Sequence, residues 1–122
     1  MRLVKSQAEL ELMRQAAAIS VEAHNYAREI ASPGRYEYEI QAEMERIFRL
    51  RGGTGVAYPS IVASGENACI LHYIENTRQM QDGDLLLIDA ACAYGYYNAD
   101  ITRTFPVNGK FTGEQRALYD IV

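Results

Sequence analysis

Apolar residues recur at helical spacing over the first fifty positions of the chain. From about Gln7 to Ala31 they form one approximate stripe, made of Leu10, Met13, Ala17, Ile19 and Ala23. Ser6 followed by Glu9 matches a capping box, in which each side chain accepts a hydrogen bond from a free N–H at the helix start. Pro33 and Gly34 are typical of a helix end. The pattern therefore predicts a long amphipathic helix.

A second helix is predicted from about Tyr38 to Leu50. Its inner face consists of Ile40, Met44, Ile47 and Phe48. Gly52 and Gly53 follow directly and are expected to end it. The chain thus begins with two helices in succession.

The pattern changes to short strand-like runs after position 53. These runs are "VAYPSIVASG", "ACILHYI", "DGDLLLIDA" and "YYNADITRTFPV". Thr112 with Gln115 forms another capping box, which opens a helix "GEQRALYDIV" that carries no stop signal, so we expect a truncated helix. The order predicts an α+β fold in which two N-terminal helices pack on a mainly antiparallel sheet.

Composition narrows the functional classes. The 122 residues suit one domain, and the net charge of −4 without a basic run argues against a nucleic-acid partner. No apolar run approaches the roughly 20 residues that a membrane span needs, and the N-terminus is too charged for a secretory signal, so we expect no membrane partner and a cytoplasmic location. Cys69 and Cys92 are isolated and are expected to be buried, reduced thiols.

Two aspartates stand out in the stretch "LLLIDAACAYGYYNADITRTF". If residues 85–91 and 95–102 form a hairpin with its tip at Tyr94–Gly95, Asp89 and Asp100 lie directly opposite each other. Cross-strand partners share one face, with Cβ atoms roughly 4.5–5.5 Å apart. Thr102 and Thr104 would share that face, because side chains alternate along a strand.

Facing carboxylates repel each other, and several arrangements relieve the repulsion. A hard divalent cation between them is one, and a shared proton is another. The plainer alternative is that one aspartate caps a turn or pairs with Arg103. The spacing of two aspartates alone does not decide among the three.

Other candidate residues are ambiguous when each is considered alone. His72 ends the run "ACIL" and is either a structural histidine or a proton carrier. Tyr58 is either a core residue or a hydrogen-bond donor to ligand side chains. His24 lies in the first helix and is expected to be structural.

Several blocks together resemble a known family. "SIVASGENACILHY", "DGDLLLIDAAC" and "NADITRTFPVNGKFTGEQRALYDIV" are similar to the catalytic domain of the Xaa-Pro aminopeptidases (aminopeptidase P), which belong to the pita-bread metallopeptidases. The resemblance covers nearly the whole chain and is strongest over residues 58–122. It implies that residues 1–122 are the N-terminal half of a metallopeptidase catalytic domain, truncated before the second half.

The resemblance also implies roles for the candidate residues. Asp89 matches a ligand of one metal ion, and Asp100 matches a carboxylate that bridges two, typically Mn²⁺. His72 matches a catalytic histidine on the substrate side. Tyr58 and Thr102 match residues that support the ligands or the substrate. The implied reaction is the hydrolysis of the first peptide bond of a peptide whose second residue is proline.

The sequence departs from the family pattern in two respects. The family reads Asp-Ala-Gly at the first ligand, whereas this chain has Asp89-Ala90-Ala91. The family completes its metal site with a histidine and two glutamates from a later region, so we expect this polypeptide to be inactive alone. Alternatives are a prolidase or methionine aminopeptidase relative, or a non-catalytic half-domain that acts as a homo-oligomer through an exposed sheet edge.

Overall fold

The computed structural model describes residues 3–122, which contain three α-helices. Helix α1 spans Gln7–Ile30, α2 spans Glu37–Leu50 and α3 spans Gly113–Ile121. Both predicted capping boxes are present. Glu9 N donates to Ser6 Oγ (3.3 Å) and Ser6 N donates to Glu9 Oε2 (2.6 Å), while Thr112 and Gln115 make the same pair of bonds.

Among the described residues, six short strands form two antiparallel sheets of three strands each. Their bounds are β1 Gly55–Val56, β2 Ile61–Ser64, β3 Leu85–Asp89, β4 Cys92–Tyr94, β5 Tyr97–Asn98 and β6 Thr102–Pro106. One sheet has the order β1-β4-β5 and the other β2-β3-β6. The predicted α+β class, with helices packed on an antiparallel sheet, is confirmed.

The hairpin that carries the two aspartates turns one residue later than predicted. Tyr94 pairs with Tyr97, and the loop residues Gly95 (φ 55°) and Tyr96 (φ 67°) both lie in the left-handed region, as a two-residue type I′ turn requires. Moving a turn by one residue moves each cross-strand partner by two. Asp89 therefore pairs with Thr102, and the predicted pairing of Asp89 with Asp100 is wrong.

The two faces of the sheet β2-β3-β6 have different surroundings. Val62, Leu86 and Ile88 point towards the helices and belong to the main core. All four residues predicted for the inner face of α2 are buried in the same core: Ile40, Met44, Ile47 and Phe48. The opposite face carries a smaller apolar cluster that includes Ile61 and Ala63. Alternation along β3 places Asp89 on this second, less covered face.

The segment that was predicted to be a strand, "ACILHYI", is irregular. A 3₁₀ turn spans Gly65–Cys69, and the following residues make no ladder. The apolar side chains that suggested a strand face solvent, with Leu71 84 % exposed. Cys69 is also exposed, which corrects the expectation of two buried thiols, whereas Cys92 is buried.

Within residues 3–122, no helix is both long enough and apolar enough to span a membrane.

Candidate active site

Asp89 is the last residue of the central strand β3. Both neighbouring strands run antiparallel to it, so Ile61 lies on one side and Thr102 on the other. The backbone of Asp89 is fixed by the strands on both sides, while its carboxylate lies at the end of the sheet. Asp89 is therefore held rigidly and remains half-buried.

Tyr58 brings the two aspartates to one point. Its hydroxyl lies 2.5 Å from Asp89 Oδ1 and 3.1 Å from Asp100 Oδ1. Burial and the bond to Asp89 raise the pKa of the Tyr58 phenol well above its usual range, so the hydroxyl stays protonated and acts as the donor. Asp100 lies between β5 and β6, two residues before Thr102, and its carboxylate reaches the same hydroxyl although it is not the cross-strand partner of Asp89.

Two side chains of α1 fix the backbone that follows Asp89. A ring nitrogen of His24, Nε2, lies 2.8 Å from the Ala90 carbonyl oxygen, and Ser20 Oγ accepts a bond from Cys92 N at 2.9 Å. Both side chains are buried. The expectation that His24 has a structural position agrees with this geometry, because it contacts backbone and faces the core.

His72 and Thr102 share a surface depression with Asp89. The depression has a volume of about 330 Å³ and an apolar floor that includes Ile61 and Leu87. His72 is exposed at its rim in a left-handed backbone conformation (φ 55°). Three of the five predicted site residues therefore line one pocket, and Tyr58 connects the pocket to Asp100.

The pairing of an aspartate with Arg103 does not occur. In the part of the chain that the structure describes, Arg103 forms no ion pair with Asp89 or Asp100, and its Nη1 donates to the Thr102 carbonyl at 2.7 Å. Arg103 pairs with Ile88, whose side chain faces the helices, whereas the next pair, Asp89 and Thr102, faces the other way. Arg103 therefore lies on the helix side of the sheet.

The two carboxylates fit a divalent metal ion as a partial ligand set. Their oxygens converge on one hydroxyl, and carboxylate oxygens are the ligands that hard divalent cations prefer. Among the described residues, however, no group of three or more His, Cys, Asp or Glu side chains is placed to hold a metal ion. The residues present can thus hold a cation only together with further ligands.

Sequence reasoning missed the polar residues that support the site from below. Glu37 is completely buried and accepts hydrogen bonds from the segment that carries His72. At the start of a helix an acidic residue is usually explained by the helix dipole, so its sequence position gave no signal of burial. Ser20 was overlooked for a similar reason, since one serine in an amphipathic helix carries no distinctive pattern.

The comparisons with known proteins identify the class to which this fold belongs. The profile of metallopeptidase family M24 matches residues 11–122, which is most of the chain. The chain belongs to metallopeptidase family M24.

The curated relatives that it matches include Xaa-Pro aminopeptidases. The chain is 53 % identical over its full length to the Xaa-Pro aminopeptidase of Escherichia coli and 51 % identical to that of Haemophilus influenzae. In both cases it spans 28 % of the relative's length.

Solved structures of aminopeptidase P have the same fold as this chain. The Pseudomonas aeruginosa aminopeptidase PepP matches 99 % of the chain at a TM-score of 0.97 and 54 % identity, with 27 % of that protein covered. A single-residue variant of Escherichia coli aminopeptidase P in complex with substrate, and the zinc-substituted enzyme in complex with product, each match the whole chain at a TM-score of 0.97 and 53 % identity, with 28 % of those chains covered.

Proposed function

We propose that this chain supplies the aspartate half of the dinuclear metal site of an Xaa-Pro aminopeptidase. The observation that carries the proposal is the convergence of Asp89 and Asp100 on the Tyr58 hydroxyl beside a pocket that His72 lines. The relatives named above support the peptide-hydrolase activity. The remaining ligands would come from a part of the protein beyond residues 1–122, the second half of the catalytic domain.

Each residue has a role that follows from its position. Asp89, at the end of a rigid strand, and Asp100 would together hold the metal ions through their carboxylates. Tyr58 fixes both carboxylates through one hydroxyl, and Thr102, the cross-strand partner of Asp89, supports the same edge. When bound, a pair of divalent ions supplies a nucleophile at neutral pH and polarises the scissile carbonyl.

His72 would act on the substrate side of the pocket. It is exposed at the rim, and the apolar floor made by Ile61 and Leu87 offers a surface for a small apolar residue. We propose a peptide with proline in the second position as the substrate, in agreement with the relatives' names. An imidazole at this rim can donate a hydrogen bond to the peptide at the bond that is cleaved.

Manganese is the metal that we propose. The ligands that this chain contributes are carboxylate oxygens, which suit Mn²⁺ as a hard cation. A zinc-substituted aminopeptidase P has been solved, which supports the binding of divalent metal ions at a site of this class.

A segment exchange tests the proposal. The 122-residue stretch of Escherichia coli Xaa-Pro aminopeptidase that matches this chain is replaced by this chain, which is 53 % identical to it throughout. With Mn²⁺ the hybrid is expected to hydrolyse an Xaa-Pro peptide. Asp89→Asn and Asp100→Asn, which remove a charged ligand but keep the side-chain shape, should each lower kcat/KM by at least about a thousandfold, because the metal pair provides several kcal/mol of transition-state stabilisation.

Asp120→Asn is the matched control for the segment exchange. Asp120 is exposed on α3 and pairs only with Arg116 among the described residues, so its substitution should change kcat/KM less than about twofold. A folded hybrid that remains fully active with either ligand substitution would contradict the assignment of the metal ligands. A folded, metal-loaded hybrid that cleaves no Xaa-Pro peptide would contradict the proposed reaction.

A further inference from the structure

The segment that carries His72 has a strained backbone. His72 (φ 55°) and Asn76 (φ 51°) both adopt the left-handed conformation without being glycine. Such residues cost free energy and persist only where neighbouring contacts determine the backbone. The contacts that hold this segment must therefore be strong.

Glu37 at the start of α2 is the centre of those contacts. Its side chain is 0 % exposed, and a buried carboxylate is costly unless hydrogen bonds satisfy it. Oε1 accepts from Ser64 N (2.7 Å) and Ser64 Oγ (2.8 Å), and Oε2 accepts from Arg78 N (3.0 Å). Ser64 and Arg78 lie at the two ends of the segment, so one carboxylate closes it into a loop.

Tyr73 links the same carboxylate to His72. The Tyr73 hydroxyl donates to Glu37 Oε2 at 2.6 Å, and the side chain is buried. Since Tyr73 is the residue directly after His72, this bond fixes the backbone on one side of the histidine. The imidazole then lines the pocket of Asp89, while the buried Tyr73 side chain packs against Ile61 and Ala63 on the same face of the sheet.

Asn76 adds a second connection that is independent of Glu37. Its Oδ1 accepts from Val62 N (3.0 Å), and its Nδ2 donates to the Ser60 carbonyl (2.8 Å). Asn76 therefore binds the returning part of the loop to β2. In the segment between the 3₁₀ turn and Asn76, the bond from the Tyr73 hydroxyl to Glu37 is the one nearest to His72 along the chain.

We propose that Glu37 and Tyr73 are positioning residues for His72: the buried carboxylate holds the Tyr73 hydroxyl, and this bond keeps the strained His72 backbone directed at the metal-ligand pocket. The inference rests on the proposed function for the role of His72, but the ordering of His72 can be measured without any catalysis. Neither Glu37 nor Tyr73 is among the residues that line the pocket.

Nuclear magnetic resonance of the 122-residue chain tests the proposal. The chain has only two histidines, so His24 in α1 serves as a reference within the same spectrum. Tyr73→Phe should lower the backbone order parameter of His72 from about 0.85 to below about 0.6 and shift its ring signals, with those of His24 unchanged. Amide exchange at residues 71–74 should accelerate on the order of tenfold or more, as expected when a hydrogen bond to a charged acceptor is lost.

Tyr97→Phe is the matched control. Tyr97 also donates its hydroxyl to a glutamate at 2.6 Å, namely Glu9, but it lies in β5 far along the chain from the His72 segment. This variant should leave the order parameter and the ring signals of His72 unchanged. Glu37→Gln should lower the order parameter of His72 further than Tyr73→Phe does. The glutamine side chain has an NH₂ group, which donates, in place of one of the two oxygens with which Glu37 accepts hydrogen bonds.

Two results would overturn the proposal. One is a His72 that remains as ordered in folded Tyr73→Phe as in the parent chain. The other is an equal disturbance of His24 and His72, which would assign Tyr73 a general role in stability. If His72 loses order as expected but proves dispensable in the active hybrid, the proposed function of His72 fails while the positioning stands.

Discussion

At the scale of single residues, the Tyr58 hydroxyl is the contact on which the geometry of the site depends. It donates towards two carboxylates of the same charge, at 2.5 Å and 3.1 Å. Hydrogen bonds to charged acceptors are stronger than those between neutral groups, and removing the donor leaves both acceptors less satisfied. The hydroxyl thus reduces the repulsion that Asp89 and Asp100 would otherwise experience.

Replacing Tyr58 by phenylalanine should therefore destabilise the chain. We expect Tyr58→Phe to lower the free energy of unfolding by about 1–2 kcal/mol, measured by urea denaturation. Tyr96→Phe, at a fully exposed residue of the hairpin tip, should change it by less than about 0.5 kcal/mol. Equal stability of Tyr58→Phe and the parent chain would show that the hydroxyl has no net role in holding the carboxylates.

His24 gives the chain a pH-dependent stability. Burial lowers the pKa of the His24 imidazole, although the bond to the Ala90 carbonyl acts in the opposite direction. As the pH falls below the ordinary histidine pKa of about 6.5, the unfolded chain binds a proton that the native His24 resists. The contribution of His24 is therefore complete above about pH 6.5 and is lost progressively as the pH falls below it.

The corresponding experiment compares urea unfolding at about pH 7.5 and about pH 5.5. Both pH values lie above the range in which most carboxylates titrate, so the histidines dominate the difference. His24→Gln should reduce the loss of stability at the lower pH. An equal loss of stability in His24→Gln and in the parent chain would refute the assignment to His24.

At the scale of secondary-structure elements, the close packing of α2 against β4 depends on Gly53. A methyl group on Gly53 would overlap Cys92 Sγ and the Phe48 carbonyl oxygen, so the backbone would have to move. Gly53→Ala should lower the free energy of unfolding by about 1–3 kcal/mol, the usual cost of overpacking. The measurement is again denaturant unfolding.

Gly113 is the control for this substitution. It lies at the start of α3, and a methyl group there meets no atom within 4 Å. Gly113→Ala should be neutral or stabilise the chain by up to about 1 kcal/mol. If Gly53→Ala were as stable as Gly113→Ala, α2 and β4 would not be in the close contact described.

The elements were predictable where local signals determine them. The capping boxes at Ser6 and Thr112 and the inner face of α2 follow from side-chain chemistry within a few residues, and the structure contains them. The segment 65–74 was not predictable in this way. Its apolar residues resemble a strand, but the conformation depends on long-range bonds to Glu37, which lies 27 residues before Ser64.

The hairpin register shows a second limit of sequence reasoning. The choice between a tip at Tyr94–Gly95 and one at Gly95–Tyr96 depends on which residues adopt positive φ, and Gly95 suits either position. The true partner of Asp89, Thr102, lies two residues from the predicted partner, Asp100. The two aspartates nevertheless converge, on the Tyr58 hydroxyl. Tyr58 lies 31 positions before Asp89 in the sequence. Its hydrogen bonds to both carboxylates could therefore not be predicted from the local pattern.

At the scale of the whole molecule, the two faces of the sheet β2-β3-β6 differ in how far other residues cover them. The helix side of the sheet is covered by the main core, whereas the pocket that contains Asp89 is lined by the exposed apolar residues Ile70 and Leu71. The chain spans 28 % of the length of the Escherichia coli and Haemophilus influenzae Xaa-Pro aminopeptidases. The central claim is that Asp89 and Asp100 together form the metal-binding part of this surface.

Titration of the ¹⁵N-labelled 122-residue chain with Mn²⁺ tests that claim most directly, because the paramagnetic ion broadens only the signals of nearby amides. We expect weak binding, with a dissociation constant on the order of 1 mM, since two carboxylates leave most coordination positions to water. The broadening should centre on residues 89 and 100 and disappear in Asp89→Asn and in Asp100→Asn, but persist in Asp120→Asn. Broadening spread evenly over the chain's 16 acidic residues, or centred elsewhere, would contradict the claim.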